Sequence, residues 1–141
     1  MSSERKPRLL LAEDNPAARE LMESAATRSR AFSSVHVVED GQAVLNYIWG
    51  LICAENKSDL PEVILTDLHM PGLNGVELTR DLKAHPETAS IPVAVITSYG
   101  SRADRARASD AGCGAYFERP RRLDELIALL GAVGEMGKAS V

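Results

Sequence analysis

The sequence lacks any run approaching the roughly 18 apolar residues that a membrane-spanning helix requires. It lacks an apolar leader as well, because Met1-Ser2-Ser3-Glu4-Arg5-Lys6-Pro7 is polar. Positive charge is not in excess either. The 16 Lys and Arg against 20 Asp and Glu leave a net charge of −4, so no basic field favours direct contact with nucleic acid. Cysteine is scarce, and the two present, Cys53 and Cys113, form no motif with each other. They read as packed or surface thiols in a reducing compartment rather than a functional pair. Together these absences give no sign of a membrane span or a signal region, and a cytoplasmic location is the expectation.

What is present is an ordinary globular composition, 45% apolar and 26% charged over 141 residues, enough for one domain with a proper core. Short apolar runs alternate with amphipathic stretches. Arg8–Ala12 reads as a first strand, closed by Glu13-Asp14-Asn15-Pro16, with Asn15 as helix cap and Pro16 at the first helical position. Ala18, Leu21, Met22 and Ala25 then give one apolar helical face. A second strand lies around Val35–Val38, and Val44, Tyr47, Ile48 and Leu51 stripe a second helix. Residues 53–61 form a polar loop of unusual length.

Val63-Ile64-Leu65-Thr66 is a buried central strand with Asp67 at its end, followed by a Pro- and Gly-rich turn and a helix over Val76–Leu82. Pro92–Ile96 is the fourth strand and residues 101–111 a charged, solvated helix. Ala115–Phe117 is the fifth strand. Leu123, Leu126, Ile127, Leu130 and Val133 mark a last helix, with a loose tail from Gly134. This alternation predicts an α/β, doubly wound parallel sheet with right-handed crossovers. The expected boundaries are a frayed segment 1–6, a domain over 7–134, a tail over 135–141, and no attached output domain.

In a parallel sheet the carboxyl ends of all strands project from one edge, where ligands bind. Glu13 and Asp14, Asp67, Thr97 and Arg119 all fall at or just beyond strand ends. Three carboxylates so gathered need a proton or a metal ion to relieve them. Oxygen donors suit a hard divalent cation such as Mg²⁺. A metal-bound aspartate beside a hydroxyl and a cation is a good acceptor for a phosphoryl group.

These residues, with the Met70-Pro71-Gly72-Leu73-Asn74-Gly75 turn, resemble the receiver domain of two-component response regulators over about residues 6–134. The 30 residues from Asp67 to Thr97 and the 22 from Thr97 to Arg119 agree with that pattern. The resemblance implies a flavodoxin-like sheet of five strands in the order 2-1-3-4-5 with five helices. It makes Asp67 the phospho-acceptor, and Glu13, Asp14, Asp67 and the main-chain carbonyl of His69 the ligands of Mg²⁺ or Mn²⁺. Thr97 matches the switch hydroxyl, and Tyr116 the aromatic that moves inward with it. Arg119 stands where the family usually has lysine: the charge is kept, but on a planar fork rather than a point donor. The first acidic residue is glutamate rather than aspartate. His69 and Tyr99 lie beside the phosphoryl site, whereas His36 and His85 read as surface or packing residues.

The implied partner is a histidine kinase. The long loop at 52–61 resembles stand-alone regulators paired with bacterial phytochrome-type kinases, so a bacteriophytochrome is the candidate. Output would pass from the face of the fourth helix, fifth strand and fifth helix to a downstream protein, a phosphotransfer partner, or a second copy of the chain. Leu126, Ile127, Leu129 and Leu130 offer more apolar surface than one stripe needs, which suggests a homodimer through this end. Three other readings compete. A haloacid-dehalogenase-type phosphatase would need an aspartate two residues after Asp67, where His69 stands. A flavin binder would need a phosphate-cradling loop where Glu13-Asp14 would repel phosphate. A phosphorylation-independent adaptor is opposed by the intact Glu13, Asp14, Asp67 and Thr97.

Overall fold

The apolar runs form five parallel strands in a single sheet, in the order β2-β1-β3-β4-β5. The structure is a computed structural model that describes residues 5–139. The strands are β1 (Arg8–Ala12), β2 (Ser34–Val38), β3 (Val63–Asp67), β4 (Val93–Thr97) and β5 (Ala115–Glu118). Between them run α1 (Pro16–Ser29), α2 (Gly41–Cys53), α3 (Gly75–Lys83) and α4 (Arg102–Ala111), and α5 (Leu123–Ala139) closes the fold. The doubly wound, flavodoxin-like arrangement anticipated from the sequence is the one observed.

Strand periodicity divides the core in two. Leu10, Ile64, Val93 and Val95 face Val44 and Ile48 of α2, Leu78 and Leu82 of α3, and Ala108 of α4. Leu9, Leu11, Val63, Leu65, Ala94 and Ile96 face Met22, Ala25 and Ala26 of α1 and Leu126, Leu130 and Val133 of α5. The pairing of Leu9 with Val63 and Leu10 with Ile64 keeps like-facing residues adjacent. Burial on both faces explains why these strands read as unbroken apolar runs.

Several local expectations are corrected. Leu21 of α1 is 47% exposed, and the buried stripe is Met22, Ala25 and Ala26, because α1 packs against α5 and that contact fixes its rotation. The loose tail expected from Gly134 is helix as far as Ala139. Gly134 and Gly137 are contact points, not terminators. A Cβ on Gly134 would lie 2.7 Å from Ala31 Cβ, and one on Gly137 would lie 2.6 Å from Pro7 Cβ. Residues 140–141 of the expected tail, and residues 1–4 of the segment expected to fray, lie outside the described residues. Arg5 reaches Glu62 Oε2 at 2.9 Å.

The polar loop is ordered. It carries a 3₁₀ turn at Lys57–Asp59, with Asn56 Nδ2 donating to Asp59 Oδ2 at 2.7 Å, and Arg8 Nε donating to the Leu60 carbonyl at 2.9 Å. The apolar surplus of α5 is absorbed by the core: Leu126, Leu129 and Leu130 are buried, Leu129 at 8% exposure, and Ile127 packs half-buried beside them. The surface that suggested a homodimer is therefore internal. Among the described residues no helix is long and apolar enough to cross a membrane.

Candidate functional site

Sheet register brings the strand ends together. Ala12 pairs with Thr66, Asp67 with Ile96, and Thr97 with Glu118. Glu13, Asp67, Thr97 and Arg119 thus follow one another along one edge. The ladder continues past the strands, through the Leu68 amide to the Ile96 carbonyl at 2.8 Å and the Arg119 amide to the Thr97 carbonyl at 2.7 Å.

The turn after β3 is closed by glycine and a cap. The Gly75 amide donates to the Leu68 carbonyl at 2.9 Å, and a Cβ on Gly75 would lie 2.7 Å from the Asp67 carbonyl oxygen. Only a residue without a side chain allows α3 to start this close beneath Asp67. Gly72 adopts φ +75°, the left-handed region that favours glycine. Asn74 and Glu77 then form a reciprocal capping box, each bond 2.9 Å. On the other side, Asn15 caps α1 through Ala18 at 2.9 Å, which fixes the chain leaving Glu13 and Asp14.

Glu13 is 1% exposed despite its charge. Arg119 Nη2 donates to its Oε1 at 2.5 Å, the Asn15 amide donates to its Oε2 at 3.2 Å, and Arg19 Nη1 donates to its main-chain carbonyl at 3.0 Å. A buried carboxylate requires such partners. Arg119 is satisfied only in part: its Nε is buried without a partner. The position expected to carry a phosphate-facing cation is, in this structure, paired with an acid.

Carboxylate oxygens of Glu13, Asp14 and Asp67 lie within 4.8 Å of one another. Burial and then the neighbouring Glu13 charge push the Asp67 carboxyl up to about 7, against the pull of Arg119 and of a hydrogen bond from the His69 backbone. Burial is the larger cause of that elevation, and the acidic neighbour adds to it. One guanidinium cannot offset three carboxylates, and a hard divalent cation would. The donor chemistry fits Mg²⁺ or Mn²⁺.

The Thr97 side chain is buried, and its hydroxyl donates to the Tyr99 carbonyl at 2.5 Å. It is therefore engaged with its own loop. Tyr116 lies beneath that loop with its hydroxyl buried and unpartnered, and burial pushes the phenol up from its ordinary value. The Arg105 guanidinium stacks over the Tyr116 ring, 4.7 Å from the centroid. Tyr99 is 77% exposed, with its ring 6.0 Å from that of His69. His36 stacks on Tyr47 and His85 meets Trp49 edge-on, so both are packing residues.

Sequence reasoning missed three contributors: Arg19 on the Glu13 carbonyl, Arg105 on the Tyr116 ring, and Gly100, against which the Tyr116 hydroxyl lies. Only Gly100 had a signal, a glycine three residues after a strand-end threonine. The two arginines look like any solvated helical charge.

A family model described as the response regulator receiver domain matches residues 9–131. Response regulator MprA of Mycolicibacterium vanbaalenii is 32% identical over 128 residues, covering 89% of this chain and 49% of MprA. Response regulator PleD of Caulobacter vibrioides is 33% identical over 113 residues, covering 80% of this chain and 23% of PleD. The chain spans about half the length, or less, of these curated relatives. Among solved structures, the phosphorylated cyanobacterial phytochrome response regulator RcpA is similar, with TM-score 0.80, 25% identity and 96% of both chains covered. The Mn²⁺-bound form of response regulator Rcp1 is similar with TM-score 0.76 and 26% identity, covering 90% of this chain and 91% of that one.

Proposed function

The chain belongs to the response regulator receiver domain family, and on that footing we propose that it accepts a phosphoryl group from a histidine kinase onto Asp67. The observation that carries the proposal is the packing of the Glu13, Asp14 and Asp67 oxygens within 4.8 Å, with Arg119 on the same edge. Glu13, Asp14, Asp67 and the His69 carbonyl would hold Mg²⁺ or Mn²⁺. The metal would offset charge on the transferring oxygens.

The chain's own residues supply the rest. Asp67, ionised, offers a carboxylate oxygen to phosphorus as the bond to the donor's leaving group breaks, and an acyl phosphate results. Gly75 and the Asn74–Glu77 box hold that carboxylate at a fixed height above α3. Thr97 exchanges the Tyr99 carbonyl for a phosphoryl oxygen, and the loop carrying Gly100 shifts over Tyr116. The changed surface is that of α4, β5 and α5, and a downstream protein or phosphotransfer partner reads it.

Receiver domains work with histidine kinases, and a bacteriophytochrome is the kinase this reading favours. The similarity to the phytochrome response regulator RcpA over 96% of both chains supports it. The unpaired Cys53 and Cys113 suit the cytoplasm in which such a kinase presents its phosphohistidine.

The test is intact-protein mass after incubation with Mg²⁺ and acetyl phosphate, beside Asp67→Asn and a chelated control. One added phosphoryl group, absent from both controls, is the expected result. No adduct under any condition would move the chain to a phosphorylation-independent adaptor.

A further inference from the structure

We infer that the Arg119 guanidinium gates the metal site: it occupies Glu13 in the resting protein and must leave before that carboxylate can serve a divalent cation. The inference rests on the acceptor reading above. It concerns what arginine does here that a lysine would not.

Glu13 is the most buried of the three acids, and both its oxygens are taken, Oε1 by Arg119 Nη2 at 2.5 Å and Oε2 by the Asn15 amide at 3.2 Å. Asp14, by contrast, is exposed and Asp67 half-buried. The acidic donor that solvent cannot reach is thus the one already neutralised. A dication entering beside it meets a fixed positive charge in contact with one of its ligands. The apparent affinity for the cation is then the intrinsic affinity multiplied by the fraction of molecules in which Arg119 has let go.

The pair is also poised to open. A guanidinium meets a carboxylate best as a fork, through two parallel bonds. Arg119 gives Glu13 a single bond, and its Nε is buried with no acceptor. Any arrangement that supplies an acceptor to Nε competes with this one. The backbone of Arg119 is anchored by its amide to the Thr97 carbonyl at 2.7 Å, so the change is confined to the side chain. Once released, the fork has phosphoryl oxygens within the same edge to grip. A lysine carries its donors on one terminal nitrogen and would leave nothing unpaired along its stem. Arg119 would therefore link two events, entry of the cation and capture of the phosphoryl group.

The test uses the full chain and Mn²⁺, with free ion counted by electron paramagnetic resonance, for the unmodified protein, Arg119→Met and Arg121→Met. Arg121 is an exposed neighbour of the same charge. In parallel, the Nε–Hε signal of Arg119, assigned by its loss in Arg119→Met, is followed by ¹⁵N nuclear magnetic resonance as Mg²⁺ is added. The expected result is affinity about tenfold tighter in Arg119→Met, little change in Arg121→Met, and a Nε–Hε signal that shifts in step with saturation. Equal affinities with an unmoved signal would overturn the gate, while an Asp67 adduct with acetyl phosphate would leave the acceptor reading intact. Equal tightening in both variants would reduce the effect to general charge and overturn it too. If no protein binds Mn²⁺, the metal site itself falls and the gate with it.

Discussion

The Tyr116 hydroxyl lies directly against Gly100, so close that a Cβ at position 100 would overlap it, and Thr97 Cγ2 would lie 3.1 Å from the same Cβ. The strand-end hydroxyl and the aromatic of β5 therefore share one small niche, roofed by a glycine.

Gly100→Ala should expel the Tyr116 tip and destabilise the protein by about 1–3 kcal/mol, the ordinary cost of overfilling a packed site. Tyr116→Phe removes the overlapping oxygen, and it also removes a buried hydroxyl that has no partner. The double variant should recover part of the loss. Chemical denaturation of the two single variants and the double should give a coupling of about 1 kcal/mol or more. Additive losses would show that the niche is not shared.

Asp67 makes the metal-free protein sensitive to pH in a direction opposite to that of most carboxylates. Its carboxyl is held at about 7 in the fold against an ordinary 3.8. Between those values the folded protein keeps a proton that the unfolded chain has released. Its contribution is complete below about pH 4 and is lost as pH rises through 7. A shift of that size at a dry site would amount to about 4 kcal/mol, and screening by the solvent that reaches Asp67 lowers the expectation to about 1–2 kcal/mol.

Asp67→Asn should therefore be the more stable protein at pH 8 in the presence of a chelator, with the difference vanishing toward pH 4. Saturating Mg²⁺ at pH 8 should close most of the gap from the other side. Thermal unfolding across this range checks both. A gap that widens toward low pH would contradict the sign.

The acid cluster and the hydroxyl could be read from the sequence because strand ends share one edge in a parallel sheet, whatever the details of packing. What could not be read was set by contacts between distant segments. The rotation of α1, which exposes Leu21 and buries Ala26, depends on α5. Gly134 and Gly137 look like helix terminators until Ala31 and Pro7 are seen against them. The pairing of Arg119 with Glu13 joins residues 106 positions apart, and nothing local announces it.

Gly75 tests how tightly the acceptor's position is controlled. Its replacement by alanine would place a Cβ 2.7 Å from the Asp67 carbonyl oxygen and 3.1 Å from Leu68 Cα, both backbone atoms. The turn must open to admit it. Gly75→Ala should cost about 1–3 kcal/mol of stability. It should also slow the acquisition of a phosphoryl group from acetyl phosphate by about tenfold or more, since small misplacements of reacting groups are costly. A variant that loses stability but keeps its phosphorylation rate would show that the turn braces the fold without setting the acceptor.

Leu129 separates two roles for the last helix. Its neighbours Leu126, Leu130 and Val133 sit in the core shared with α1 and the sheet, and Leu129 itself is 8% exposed. If the side chain serves that core, Leu129→Ala should destabilise the monomeric fold by about 2–4 kcal/mol through lost burial and the cavity left behind. Sedimentation at a concentration where the variant remains folded should show the same association state as the unmodified chain. A change in association with stability preserved would instead mean that α5 turns this residue toward a second copy. Leu129 and Leu130 belong to the same buried core as Met22, Ala25 and Ala26 of α1, so such a rotation would disturb both leucines.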